Sequence, residues 1–213
     1  VNNDFAGIKN WFNEFYARDT SRKIRAVQKA KGERGVPLTV NVPYGYVKDP
    51  ENPKHWLVDP EAAAIVKRIF SMCMEGRGPT QIANQLWADK VLTPTAYKLS
   101  HGRSTNAPAP EDPYRWDKRA VSLILERREY TGCTVNFKTY TNSIWDKKRH
   151  LNPVENQAIF PDTHERIIDD DVFEKVQEIR NQRHRMTRTG KSSIFSGMVY
   201  CADCGSKMQY GSS

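Results

Sequence analysis

Cys201-Ala202-Asp203-Cys204-Gly205 is the stretch whose residue types and spacing point most directly to chemistry. Two cysteines flanking two residues form a knuckle in which both thiolates reach one zinc ion, and the glycine that follows permits the tight turn. A redox role is disfavoured, because no strand-helix-strand setting surrounds the pair. Cys201 and Cys204 make only a half-site, and no second pair of this kind follows before Ser213. Cys73 falls on the apolar side of a helical pattern and Cys133 in a strand pattern, so neither is an obvious third ligand. Tyr16, Arg18 and Ser21 invite a catalytic reading. A serine nucleophile would need crowded arginines that nothing nearby supplies, so these are read as structural and no catalytic residue is assigned.

The other chemistry on offer is charge. The chain has 213 residues, and 33 Lys+Arg against 25 Asp+Glu leave a net charge of +8, which points to a polyanionic partner. The charge is unevenly placed. Residues 1–35 carry eight basic and four acidic side chains, and 180–191 carry five basic and no acidic ones. Between them, 162–178 has seven acids against Arg166 and Lys175. A surface that only keeps a protein soluble mixes its signs, whereas separated basic segments suit particular faces that meet phosphate. No apolar run is long enough to span a bilayer, and no signal-peptide pattern is present, so no membrane partner is expected. Four cysteines with one C-x-x-C pair fit a reducing compartment better than a disulfide framework. The expected location is cytoplasmic.

The elements that must position these groups can be read from periodicity. Asp4 to Lys31 predicts one long helix, with Phe5, Ile8, Phe12, Phe15, Ile24 and Val27 as its apolar stripe. Its later turns are cationic, through Arg18, Arg22, Lys23, Arg25, Lys29 and Lys31. Gly32 and Gly35 are expected to break it. The segment from there to Tyr46, which includes Arg34, Pro37 and Pro43, reads either as an arm along a groove or as a plain linker. Asp59 as N-cap and Pro60 at the first position open a second helix, with Ala62, Ile65, Val66, Ile69, Phe70 and Cys73 on one face. Gly76 and Gly78 stop it, and Pro79 starts a third whose inward side is Ile82, Ala83, Leu86 and Trp87. That layout is of the helix-turn-helix type.

Thr93 to Pro113 reads as a long mobile loop bearing Lys98, His101 and Arg103. Arg115 leads into a helix from Trp116 to Tyr130 that Asp117 caps. Its inner face is Ala120, Val121, Ile124 and Leu125, and Lys118, Arg119, Ser122, Arg127 and Arg128 face outward. Such a polar face suits a major groove, whose base edges and phosphates Arg, Lys and Ser address. Gly132 to Tyr140 alternates like a half-buried strand, with Cys133, Val135 and Phe137 set against Thr134, Asn136 and Lys138. Thr141 to Gln157 is a polar loop, and Ala158 to Phe160 a short strand. His164 is read as structural. A helix capped by Asp169 buries Val172, Phe173, Val176 and Ile179. Beyond it, Arg183, Arg185 and Arg188 lie in the basic segment, and Ile194 to Tyr200 is strand-like.

Together these motifs resemble the large serine recombinases of phages and mobile elements. Asn13 to Arg25 looks like the end of that family's long interdomain helix. Pro43-Tyr44-Gly45-Tyr46, Val58 to Ala62, Gly76 with Ile82-Ala83 and Leu86, Trp116 with Val121, and Tyr130-Thr131-Gly132 follow its recombinase domain. Phe173 to Gln177 and Cys201 to Gly205 match the opening of its zinc-ribbon domain.

The resemblance implies a mainly α fold with small β elements: a long helix over 1–35, a recombinase DNA-binding domain over 36–140, and a truncated zinc ribbon over 141–213. It implies Zn2+ in the full-length protein, double-stranded DNA and self-association as partners, and a bacterial or phage cytoplasm. The expected DNA contacts are Arg18, Arg22, Lys23, Arg25, Lys29, Lys31, Arg34, Arg103, Arg115, Lys118, Arg119, Ser122, Arg183, Arg185 and Arg188. The family's nucleophile sits in a preceding domain in a Tyr-x-Arg-x-Ser setting. In Tyr16-Ala17-Arg18-Asp19-Thr20-Ser21 the serine is one place too far, so this segment is expected to be inactive alone. The rival is a helix-turn-helix and zinc-ribbon regulator with no enzymatic domain. A tyrosine recombinase fits poorly, since none of the five histidines has arginine three places later.

Overall fold

The computed structural model describes residues 4–39, 41–105, 107–143, 145–146, 148–182, 199–206 and 208, with side chains from residue 7 onward. Among these residues the chain is mainly helical with small antiparallel strand pairs, as its sequence predicts. It divides into two compact units that interleave along the chain: residues 1–68 with 127–169, and residues 69–126 with 170–213.

The first unit begins with α1 (Asp4–Glu33). Gly32 does not break this helix, as its type suggests it should. It is buried within the last turn, where an added methyl would overlap the ring of Phe137. The chain leaves the helix at Gly35, whose φ of 76° only glycine adopts without strain. The following arm is not a free linker at its start. Asn136 donates to the carbonyls of Gly32 and Val36 (3.2 and 3.0 Å) and accepts from the amide of Leu38 (3.1 Å).

Strands β1 (Tyr46–Lys48) and β2 (Trp56–Val58) pair antiparallel, Tyr46 opposite Val58. They bring Tyr46 and Trp56 into a core with Tyr44, Val66, Tyr130, Ile167 and Ile168, all buried. The buried phenols are satisfied: Tyr130 donates to the carbonyl of Tyr44 and Tyr46 to that of Glu165, each at 2.8 Å. His164 is structural, as expected. It lies edge-on to Tyr46 and tilted against Trp56, and its Nε2 donates to the carbonyl of Glu129 at 2.8 Å. Nδ1 is then the acceptor for the Thr163 hydroxyl at 3.0 Å.

Strand β3 (Thr134–Asn136) pairs with β6 (Ala158–Phe160), and β4 (Thr139–Tyr140) with β5 (His150–Leu151). Within β3 the polar side chains are the more deeply buried ones. Thr134 and Asn136 are buried while Val135 is half-buried, and Phe137, at a φ of 59°, ends the strand. Polar side chains can take the inside because they are bonded: Thr134 shares a 2.7 Å bond with Thr163, and Asn136 holds the arm.

Helix α2 (Pro60–Met74) starts at the predicted proline. Its first half, with Ala62, Ala63 and Val66 buried, belongs to the first unit. Its second half places Ile69, Phe70, Met72 and Cys73 in the core of the second. There α3 (Pro79–Ala88) buries Ile82, Ala83 and Leu86. Trp87, expected inside, is half exposed and donates its indole N–H to Asp112 at 2.9 Å.

The stretch after Thr93 is not wholly a loop. Thr93 caps α4 (Pro94–Ser100) by accepting from the amide of Ala96, and Tyr97 is buried beneath it. Helix α5 (Lys118–Leu125) is shorter than predicted, since the chain turns after Glu126 into a 3-10 turn over Arg128–Thr131. α5 buries Val121, Ile124 and Leu125 and packs on α3 and on α6 (Asp170–Gln182). Each such fully buried aliphatic side chain contributes about 1.5–3 kcal/mol, enough to fix which face of α5 points out. No helix among the described residues is long and apolar enough to cross a membrane.

Candidate nucleic-acid interface

In the second unit the burial of Val121, Ile124 and Leu125 leaves Lys118 and Arg119 exposed on the first turn of α5. Asp117 caps that turn, its carboxylate accepting from the amide of Arg119 at 2.6 Å. Arg115 is exposed just before the helix, and Ser122 is half-buried one turn on. The side chains of Arg115, Lys118 and Arg119 have no ion-pair partner among the described residues. This end of α5 therefore joins free cations to the positive end of the helix dipole, an arrangement suited to phosphate. The other end is neutralised, because Arg180 pairs with Glu126. Arg103 sits over the ring of Tyr97, 6.0 Å from its centroid, where α4 gives way to the following loop.

In the first unit Arg18, Arg22, Lys23, Arg25, Lys29, Lys31 and Arg34 are all exposed on or just after α1. They are not equally available. Arg18 pairs with Glu14, Lys23 with Asp19 at 2.7 Å, and Lys29 with Glu33 at 3.8 Å. The Asp19 carboxylate raises the Lys23 pKa, first through its hydrogen bond. These one-turn pairs are exposed and weak, so a phosphate competes for the same cations. Arg25 reaches the Thr141 hydroxyl at 3.4 Å, while Arg22, Lys31 and Arg34 have no ion-pair partner among the described residues.

The apolar stripe of α1 is present but unburied. Ile8, Trp11, Phe12 and Phe15 are each more than half exposed, and Trp11 stacks on Phe15 with ring centroids 5.6 Å apart. Arg183, Arg185 and Arg188 lie outside the described residues.

Sequence periodicity places β4 at the end of the predicted Gly132–Tyr140 strand but misses β5 and the hairpin that the two form, since it reads Thr141 to Gln157 as polar loop. Lys148 and Arg149 are exposed on it, and Tyr140 packs on His150 with ring centroids 5.5 Å apart. The signal was the aromatic residues spaced among cations, which strands of two residues are too short to turn into a visible period.

Cys201 and Cys204 are both free thiols on one turn. The amide of Gly205 donates to the carbonyl of Cys201 at 2.9 Å, and Gly205 has a φ of 64°. The Ser206 hydroxyl, 2.6 Å from the sulfur, is the main cause of a lowered pKa at Cys204. A thiol inclined to ionise on a glycine-closed turn fits the donor set of a zinc knuckle. Among the described residues no group of three or more His, Cys, Asp or Glu side chains is placed to hold a metal ion.

Solved structures share the mainly helical fold of this chain. The chain is similar to one in a crystal structure of a large serine recombinase–DNA complex, with a TM-score of 0.51 and 17% identity, over 87% of this chain and 48% of that one. It is similar, at the same TM-score and identity, to a chain solved for the sequence requirements of the Listeria innocua prophage attP site, over 87% of this chain and 63% of that one. At that identity the likeness is one of fold. The sequence profile of the family described as Recombinase matches residues 60–183, more than half of the chain, and the chain belongs to that family. An uncharacterized protein of Bacillus subtilis strain 168, YefB, is 32% identical over 96 residues, which are 45% of this chain and 32% of that protein. The chain thus spans about a third of that relative's length and less than two thirds of either solved chain.

Proposed function

We propose that this chain is the DNA-binding portion of a site-specific serine recombinase. The whole protein would integrate or excise a mobile element by cutting both duplexes with serine nucleophiles, rotating half the complex and religating. The observation that carries this reading is the first turn of α5. It exposes Lys118 and Arg119 opposite a buried apolar face, in a chain whose family is Recombinase and whose fold is found in a recombinase–DNA complex. In this reading α5 enters a major groove and the arm after Gly35 follows the adjacent minor groove. α1 carries the family's catalytic domain toward the cleavage site. The serine chemistry belongs to that domain, and the 213 residues alone bind without cutting. The protein acts in a bacterial or phage-infected cytoplasm, and the whole protein self-associates.

The test is a mobility-shift titration with a duplex carrying the element's attachment half-site. If about six phosphates are neutralised, the log-log dependence of affinity on salt has a slope of roughly −5. A slope near zero overturns the reading. Arg119→Ala is expected to weaken the attachment half-site more than random duplex, by roughly tenfold, as the loss of a base contact does. An equal loss on both would make Arg119 a phosphate contact instead.

We further propose that Cys201 and Cys204 supply two thiolates to a structural zinc ion, completed by two donors from outside the described residues. Zinc there would pin the turn and contribute folding energy. Zinc titration with a colorimetric competitor should show weak uptake that Cys204→Ser removes. Uptake unchanged in Cys204→Ser would exclude the knuckle.

A further inference from the structure

The β4–β5 hairpin has a composition that neither a solvated turn nor an ordinary docking patch calls for. Residues 138–150 hold Lys138, Lys147, Lys148 and Arg149 against the single acid Asp146. That acid is engaged within the hairpin. Its carboxylate accepts from the Lys148 amide at 2.9 Å and faces His150 Nε2 at 3.2 Å. Lys138 is engaged too, 2.6 Å from the buried carboxylate of Glu129. Lys148 and Arg149 remain, exposed and without an ion-pair partner among the described residues. Beside them Trp145 is 66% exposed.

Two local hydrogen bonds tie Trp145 and Asp146 to Ser143, whose hydroxyl accepts from their amides at 3.2 and 3.1 Å. The hairpin is also tied to α1 through Arg25 and Thr141, and an open groove of about 620 Å³ runs between Thr141, Ser143 and Asp146 and the α1 face from Tyr16 to Gln28. A protein partner with an apolar patch would match the indole but not two free cations. A bare anion would match the cations but not the indole. Sugar-phosphate with an accessible base or sugar edge matches both.

We infer that the β4–β5 hairpin is a separate contact to duplex DNA, in which Lys148 and Arg149 take backbone phosphates and Trp145 packs on the sugar and base edge beside them. This rests on the reading of duplex DNA as the partner and adds a contact outside α5. Because phosphate contacts carry no sequence information, the contact holds on any duplex.

The experiment uses the whole 213-residue chain and a 40-base-pair duplex of random sequence, with binding followed by fluorescence anisotropy across a salt series. Lys148→Ala with Arg149→Ala should weaken binding roughly tenfold at about 0.1 M salt and make the log-log slope shallower by about 2, as two lost phosphate contacts require. Trp145→Ala should weaken binding several-fold at every salt concentration with the slope unchanged, because it removes apolar contact and no phosphate neutralisation. All three side chains are exposed, and circular dichroism checks that the variants fold. If the unsubstituted chain binds while both variants keep its affinity and slope, the hairpin is no DNA contact and the reading of α5 stands. If these variants change self-association alone, the hairpin is a protein contact and the inference is overturned. If the unsubstituted chain binds no duplex at any salt, the reading of DNA as the partner fails and the hairpin contact fails with it.

Discussion

Asn136 sits 3% exposed in β3 and serves three backbone groups at once: the carbonyls of Gly32 and Val36 and the amide of Leu38. An apolar residue of similar size would bury as much surface and leave all three without a partner. Each buried group so orphaned costs about 1–3 kcal/mol, less whatever water can reach. Asn136→Leu is therefore expected to destabilise the chain by about 2–4 kcal/mol in urea unfolding, and equal stability would show that the arm is not held this way. His164 makes a different kind of prediction. Burial is the main cause of its lowered pKa. A histidine kept neutral by burial binds fewer protons folded than unfolded, so its contribution is fully present above the unfolded value of about 6.5 and fades as pH falls below it. The melting temperature should drop between pH 7.5 and 5. His164→Gln should start lower and lose less over that interval. A parallel drop in both proteins would remove His164 as the cause.

Among the elements, the close of α1 shows a glycine chosen for room more than for conformation. In a helix interior, Gly→Ala normally stabilises by about 1 kcal/mol. At Gly32 the methyl would fall on the ring of Phe137, which must move for it. Gly32→Ala should therefore lower stability by about 1 kcal/mol, and should become neutral or stabilising when combined with Phe137→Ala. A double-mutant cycle with no coupling would rule out the ring as the reason.

The same packing explains what the sequence could and could not reveal. α2, α3 and α6 were legible because their apolar residues recur at helical spacing between prolines, glycines and acids that mark their starts and stops. Gly32 was read as a breaker because residue type reports its conformational freedom and not a ring that arrives from a residue 105 positions away. The buried side of β3 was not legible for a related reason. Alternation shows which side chains share a face, but Thr134 and Asn136 could be put inside only by partners distant in sequence. α4 was hidden because Thr93 and Pro94, a cap and a first-turn proline, have the composition of a loop. In the interface, the cations of α1 and α5 were legible from type and position. The exposure of the α1 stripe was not, because a heptad-like pattern reads the same whether its partner is present or absent.

At the scale of the whole molecule, two surface properties pull against each other. The chain carries a net +8, and α1 exposes Ile8, Trp11, Phe12 and Phe15 along one stretch of helix. Like charge keeps copies apart at low salt, while contiguous exposed apolar side chains favour association. Added salt screens the repulsion, since the Debye length shrinks from about 10 Å at 0.1 M to about 3 Å at 1 M, but leaves apolar burial intact. The same salt displaces a polyanion from Lys and Arg. On the proposed reading of DNA as the partner, raising sodium chloride from about 0.1 to about 0.5 M should therefore release duplex DNA and strengthen association of the protein with itself. Sedimentation velocity at several protein concentrations reads the second effect. Phe12→Glu with Phe15→Glu should abolish the association and leave the salt dependence of DNA binding nearly as it was, because the cations lie further along α1 and on α5. If the mass stays monomeric at high salt and high protein concentration, the exposed stripe does not bring copies of this chain together.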